Sequence, residues 1–146
     1  MQTAIHRRVA ALRAGADPTV IGRLASGWAV FGERQFLPGY ALLLPDPVVT
    51  DLHALDVAAR EAFLADMARL GDAVLAATGA LRINYAIFGN LEPALHAHVV
   101  PRYRDEADSL ATAHPWAYDW SVAPPFDATR QRALLAAVRR GVGVSL

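Results

Sequence analysis

His96 and His98 stand two residues apart in the run Leu95-His96-Ala97-His98-Val99-Val100. Alternation with a period of two is the pattern of a β-strand, so both imidazoles fall on one face and Leu95, Ala97 and Val99 on the other. Such a pair can do three things. It can satisfy hydrogen bonds in a half-buried sheet, an ordinary fate for histidine. It can hold zinc if a third ligand converges. Here Glu92 lies in the preceding turn, His53 and His114 are remote, and no His-Glu-x-x-His helix exists, so no metal ligand set is expected. Third, a neutral ring with one nitrogen held by a backbone carbonyl can aim the other nitrogen's lone pair at an electrophile. Spacing alone leaves the three readings open.

Positioning the pair takes rigid strands beside it. Residues 81–88 carry branched and aromatic side chains and lead through a Gly89-Asn90 turn into 95–100, which predicts a hairpin left through Pro101-Arg102. An earlier hairpin is predicted from Trp28-Ala29-Val30-Phe31 and Tyr40-Ala41-Leu42-Leu43-Leu44, separated by Gly32, the charged tip Glu33-Arg34-Gln35 and Pro38-Gly39. A short apolar piece, 20–24, precedes it. Between the hairpins Leu52, Leu55, Ala59, Phe63, Met67, Leu70 and Val74 step by three and four, giving one long amphipathic helix with Gly79 as its stop. Helices are also expected over 3–14, capped by Thr3 and ended by Gly15, and over 127–140, capped by Asp127 and ended by Gly141. This order predicts an α+β fold, an antiparallel sheet covered on one face, in a single domain over 1–146.

Composition narrows the function classes. The chain is 54% hydrophobic and 19% charged, with 14 basic and 14 acidic residues, which argues against disorder and against nucleic acid held by bulk charge. No cysteine is present, so disulfides, cysteine-bound zinc and thiol chemistry are excluded. The basic residues near the start are not followed by an apolar stretch, so no signal peptide is read there. No segment approaches the roughly 18 apolar residues of a membrane span, and the expectations are no membrane partner and a cytoplasmic location.

Leu95-His96-Ala97-His98-Val99-Val100-Pro101-Arg102-Tyr103 resembles the end of the histidine-triad motif, His-φ-His-φ-His-φ-φ, with Ala94 in place of the first histidine. Asn84, Gly89, Asn90 and Pro93 match an Asn-x-x-x-x-Gly-Asn-x-x-Pro form of the loop before that motif, and Pro38-Gly39-Tyr40 followed by 41–45 resembles the family's Pro-Gly-His turn and strand. The resemblance covers residues 28–103 in order. It implies a sheet of about five antiparallel strands with the long helix packed on it, and a homodimer. It also implies a nucleotide phosphohydrolase or nucleotidyl transferase, diadenosine polyphosphate hydrolase-like, that cleaves at the α-phosphate of dinucleoside polyphosphates or nucleoside phosphoramidates. By that resemblance His96 is the nucleophile, His98 hydrogen-bonds the phosphoryl or leaving group, and Asn84, Asn90 and Gly89 hold phosphate or ribose. No cofactor is required, though a divalent cation can accompany a polyphosphate. A nucleotide-binding module without turnover is the alternative.

Three positions depart from the family. Besides Ala94, Tyr40 stands where the turn has histidine, and the two read as one coupled change, the phenol filling space left by alanine. Gly32 stands where relatives place a ribose-binding Asp or Asn, with Glu33 as a substitute. Trp28 could line a base pocket or belong to the core, and Arg102 could neutralise phosphate or be a solvated strand-end charge. Asn84, polar in a strand, is read as functional. Trp116, Tyr118 and Trp120 are read as packing of a C-terminal loop or subunit contact, and His114 as a surface histidine.

Overall fold

The computed structural model describes residues 2–144, so the limits of the expected domain, 1 and 146, lie outside the described residues. Thr3 opens α1 (Ala4–Arg13): its hydroxyl accepts from the His6 amide and the His6 ring returns a bond to the Thr3 amide, a capping box closed by histidine. The five strands are β1 (Val20–Arg23), β2 (Gly27–Phe31), β3 (Ala41–Pro45), β4 (Arg82–Ala86) and β5 (Ala97–Arg102). All neighbours are antiparallel, in the order β1-β2-β3-β5-β4. The α+β architecture is as expected from sequence, with the apolar piece at 20–24 supplying the edge strand β1.

One sheet face carries Ala29, Phe31, Ala41, Leu43, Ala97 and Val99. Against it pack Phe63, Leu70 and Val74 of α2 (Val57–Thr78) and Leu135, Val138 and Val142 of α4 (Arg132–Val142), the short α3 (Asp108–Ala111) falling between them in the chain. The opposite face is also covered, contrary to the one-sided expectation. There Ile5, Val9 and Leu12 of α1 share a core with Val30, Leu42, Leu44, Ala94 and Val100. The physical reason is visible in β3, whose residues are buried on both sides, the composition of a strand with no wet face.

Several boundaries differ from the periodic pattern. Asp51 caps a separate 3-10 turn at Leu52–Ala54, and Asp56 then caps α2, so Leu52 and Leu55 pack on the core from outside the helix. Gly79, at φ +65°, ends α2 as expected. Asp127 caps a turn, with its carboxylate accepting from the amides of Thr129 and Arg130, and α4 begins only at Arg132. Its stop is Gly143 at φ +74°; Gly141 lies inside the helix, where a Cβ would come 2.6 Å from that of Ala73 in α2. That missing side chain is what lets the two helices approach.

β5 is displaced towards the C-terminus of its predicted span, so Pro101 and Arg102 lie within it and His96 immediately precedes it. The connection from β4 runs over residues 87–96 rather than through a tight Gly-Asn turn, with Gly89 at φ +108°. This loop is tied down at both flanks: the Leu95 amide donates to Val49 O at 2.8 Å, and the Ala4 amide at the start of α1 donates to Glu92 Oε1 at 2.6 Å.

Candidate active site

His96 and His98 lie with ring centroids 4.9 Å apart, inclined by 73°. His96 Nδ1 is 2.7 Å from Ala94 O. A carbonyl oxygen only accepts, so Nδ1 carries a hydrogen, and in the neutral ring Nε2 is then the nitrogen with the lone pair. The residue is 9% exposed and sits just before β5, its ring held by that bond.

His98 sits in the middle of the sheet, opposite Leu42 of β3 and Ala86 of β4. Its Nδ1 is 2.7 Å from the Tyr40 hydroxyl, and the two rings are nearly parallel at 12°. Burial, and then the neighbouring His96, pull the His98 imidazole down to about 4, so it is uncharged at neutral pH. Burial pushes the Tyr40 phenol well above its usual value.

Tyr40 is placed by the loop before β3. Gln35, buried, donates from Nε2 to the carbonyls of Gly32 and Tyr40 and accepts from the Gly39 amide. The phenol ring lies over Gly32, where an added Cβ would be 2.2 Å from ring carbons. Tyr40 and Gly32 are thus sterically paired, and the space the phenol occupies is the space of any side chain at position 32. Ala94 shares its core with Ile5 and Val9 of α1 as well as with Tyr40.

Arg102 is not a free phosphate ligand. It is 5% exposed, and its five N–H groups are all engaged: Nε with Glu106, Nη1 with Asn84 Oδ1 and Ala113 O, Nη2 with Glu106 and Leu110 O. It ties β5 to the segment 106–113 instead. Burial pushes the Glu106 carboxyl up, but hydrogen bonds from Arg102, Tyr118 and the Tyr103 amide outweigh this and hold it below its ordinary range. Asn84, across from Val100 on the histidine-bearing face, is therefore committed through Oδ1.

Asn84 also lines an open groove of about 880 Å³, together with Ile83, Tyr85, Ala86, Ile87, Phe88, His114 and Trp116. Trp116 lies 4.9 Å from the His98 ring at 86°, and Phe88 lies 6.2 Å from it. Trp116 also meets Phe88 edge-on at 4.8 Å and stacks on Trp120 at 5.4 Å. Trp116 therefore reaches His98, with Trp120 stacked behind it, and His114 joins the same groove. Reading them as loop packing missed this, because nothing in their spacing relates them to residues 84–98. Phe88 was equally silent, since strand aromatics usually enter a core; here it is 59% exposed.

The remaining expected ligands are not assembled. Trp28 donates its indole N–H to Asp46 and carries the Arg23 guanidinium over its ring at 5.7 Å, two strands from β5. Glu33 lines a different cleft, with Arg7, Arg8, Thr19 and Phe126. Neither Trp28 nor Glu33 is brought to the histidine pair: Trp28 packs against the core that α1 covers, and Glu33 shares its cleft with residues of α1. Gly89 and Asn90 stay in the loop above the site, Asn90 being exposed. Among the described residues no group of three or more histidine, aspartate or glutamate side chains is placed to hold a metal, and no helix is long and apolar enough to cross a membrane.

Solved structures of histidine-triad proteins are similar to this chain in fold. A histidine-triad protein of Bradyrhizobium japonicum is 26% identical, with a TM-score of 0.73 over 89% of this chain and 94% of that one. A hypothetical histidine-triad nucleotide-binding protein of Sulfolobus tokodaii is 11% identical, with a TM-score of 0.71 over 92% and 90%. A zinc-bound histidine-triad family protein of Mycobacterium smegmatis is 22% identical, with a TM-score of 0.65 over 89% and 91%. The fold is that of these proteins. No protein-family model matches the chain, and no curated protein matches it.

Proposed function

We propose that this chain is a histidine-triad nucleotide phosphohydrolase or nucleotidyl transferase that cleaves at the α-phosphate of dinucleoside polyphosphates or nucleoside phosphoramidates. The observation that carries the reading is the bond from His96 Nδ1 to Ala94 O, which fixes the ring and assigns Nε2 as the nucleophilic nitrogen. Nε2 forms a bond to the α-phosphorus as the bond to the leaving group breaks. Water then attacks phosphorus, the N–P pair returns to Nε2, and one water proton passes to solvent. His98 and the Asn84 amide donate hydrogen bonds to the phosphoryl oxygens. The loss of the first triad histidine is tolerable in this scheme, because the contact that orients His96 comes from the main chain.

Incubation with a dinucleoside polyphosphate, followed by acid-free quenching and mass spectrometry, tests the reading. A nucleoside monophosphate product and a nucleotidyl adduct on His96 are expected; no product from this substrate, or from a nucleoside phosphoramidate tried in the same way, sinks the proposal. The phenol over Gly32 favours the second reading, a nucleotide-binding module without turnover, to the extent that it fills the strand end; calorimetric binding with no adduct would identify it. A homodimer through the β4 edge, a divalent cation carried by the substrate and a cytoplasmic location belong to the same proposal. Sedimentation showing only monomer would remove the first of these.

A further inference from the structure

We infer that Tyr40 is a positioning residue that restricts His98 to donating a hydrogen bond from Nε2, and that the site therefore selects substrates whose leaving group departs as a phosphate anion over those that release an amine. This rests on the reading of His96 as nucleophile and narrows its substrate class.

Two atoms carry the argument. The Tyr40 hydroxyl and His98 Nδ1 are 2.7 Å apart, and the hydroxyl has no other partner among the described residues. A buried phenol keeps its proton, and the nitrogen it faces belongs to a buried, uncharged ring. The proton therefore points from oxygen to Nδ1, and the ring's own hydrogen is on Nε2. The alternative, Nδ1–H donating to the phenol oxygen, would leave the hydroxyl hydrogen without an acceptor in the buried site. Tyr40 cannot rotate away, because its ring is seated on Gly32 and edged by Trp120 at 5.1 Å.

A neutral imidazole in that tautomer donates a hydrogen bond but does not give up its proton, since doing so would create an imidazolate, or a tyrosinate if the phenol proton followed. A phosphoanhydride needs no such transfer: as Nε2 of His96 bonds to phosphorus, the bridging P–O electron pair leaves on the second phosphate, whose charge is stable in water. A phosphoramidate leaving through nitrogen needs a proton on the amine as the P–N bond breaks, and neither ring supplies one: His96 Nδ1–H is bound to Ala94 O and faces away from the reacting atom.

Histidine-selective ¹⁵N NMR on the purified protein reads the tautomer, and a pair of substrates sharing one nucleoside reads its consequence. A pyrrole-type Nε2 and pyridine-type Nδ1 are expected for His98; the reverse overturns the inference. The phosphoanhydride should be turned over with a kcat/KM at least about a hundredfold above that of an alkyl phosphoramidate, the scale of a missing general acid. Equal or greater turnover of the phosphoramidate overturns the inference while leaving His96 as nucleophile. Tyr40→Phe keeps the ring on Gly32 but removes the hydroxyl. It should mix the His98 tautomers and lower kcat on the phosphoanhydride by about tenfold with little change in KM; an unchanged spectrum and kcat count against a positioning role. Turnover of neither substrate by the wild type overturns the nucleophile reading itself, and the substrate preference with it.

Discussion

The carbonyl oxygen of Ala94 lies 2.7 Å from Nδ1 of His96, so a residue with no functional side chain still orders the imidazole that follows it. Restoring a histidine at position 94 should therefore bring no gain. Ala94 is 1% exposed in the core it shares with Ile5 and Val9. An imidazole there overpacks that core, and Ala94→His should cost about 1–3 kcal/mol in urea denaturation. A variant that is both as stable as the wild type and faster would contradict this.

The nucleophile makes a separate demand. His96→Ala should lower kcat on a dinucleoside polyphosphate by about a thousandfold or more, the scale on which loss of a nucleophile acts. The protein should still fold, because Leu95 and Ala97, the neighbours that enter the core, are untouched. Retention of full activity with the fold intact would reassign the chemistry.

His98 should titrate near pH 4 rather than near 6.5. The sign of the consequence for stability follows from proton counting. Between pH 6.5 and 4 the unfolded chain binds a proton at this residue and the folded one does not, so stability falls as pH falls across that window. NMR titration of the His98 ring carbons checks the first statement, and urea melts at several pH values check the second.

Arg102 and Glu106 should behave as a unit. Both side chains are almost wholly buried, at 6% and 3% exposure. Arg102→Met leaves a buried carboxylate without its partner and should cost about 3–5 kcal/mol, with Arg102→Met/Glu106→Gln recovering part of it. Glu106 is held below its ordinary carboxylate value, so its contribution is complete above about pH 4.5 and is lost as pH drops through the lower folded value. The acid limb of the wild-type stability curve should flatten in Glu106→Gln.

Much of this was legible in the chain. The period-two run around His96 gave the face of the pair, the three-and-four stepping of 52–74 gave the long helix, and Gly79 gave its end, because each of these is decided by local pattern. What local pattern does not encode is which element comes to lie on a face. The fully apolar β3 could have signalled two-sided cover, yet nothing in residues 3–14 says that they supply it. Arg102 shows the same limit: at the end of an apolar run it reads as a free cation, and only the return of 106–113 over β5 supplies its acceptors. Trp116 reaches His98 by that same return, and Gly32 became interpretable only once Tyr40 was seen lying on it.

The saturation of Arg102 has a consequence in ionic strength. Among the described residues no arginine lines the groove beside His98, so a bound polyphosphate would meet N–H dipoles rather than an arginine. Its Kd should then change little between low and physiological salt, where screening weakens recognition built on formal charge. A metal ion carried in by the substrate would be the mobile source of positive charge, making affinity depend far more on the concentration of divalent cation than on that of sodium chloride.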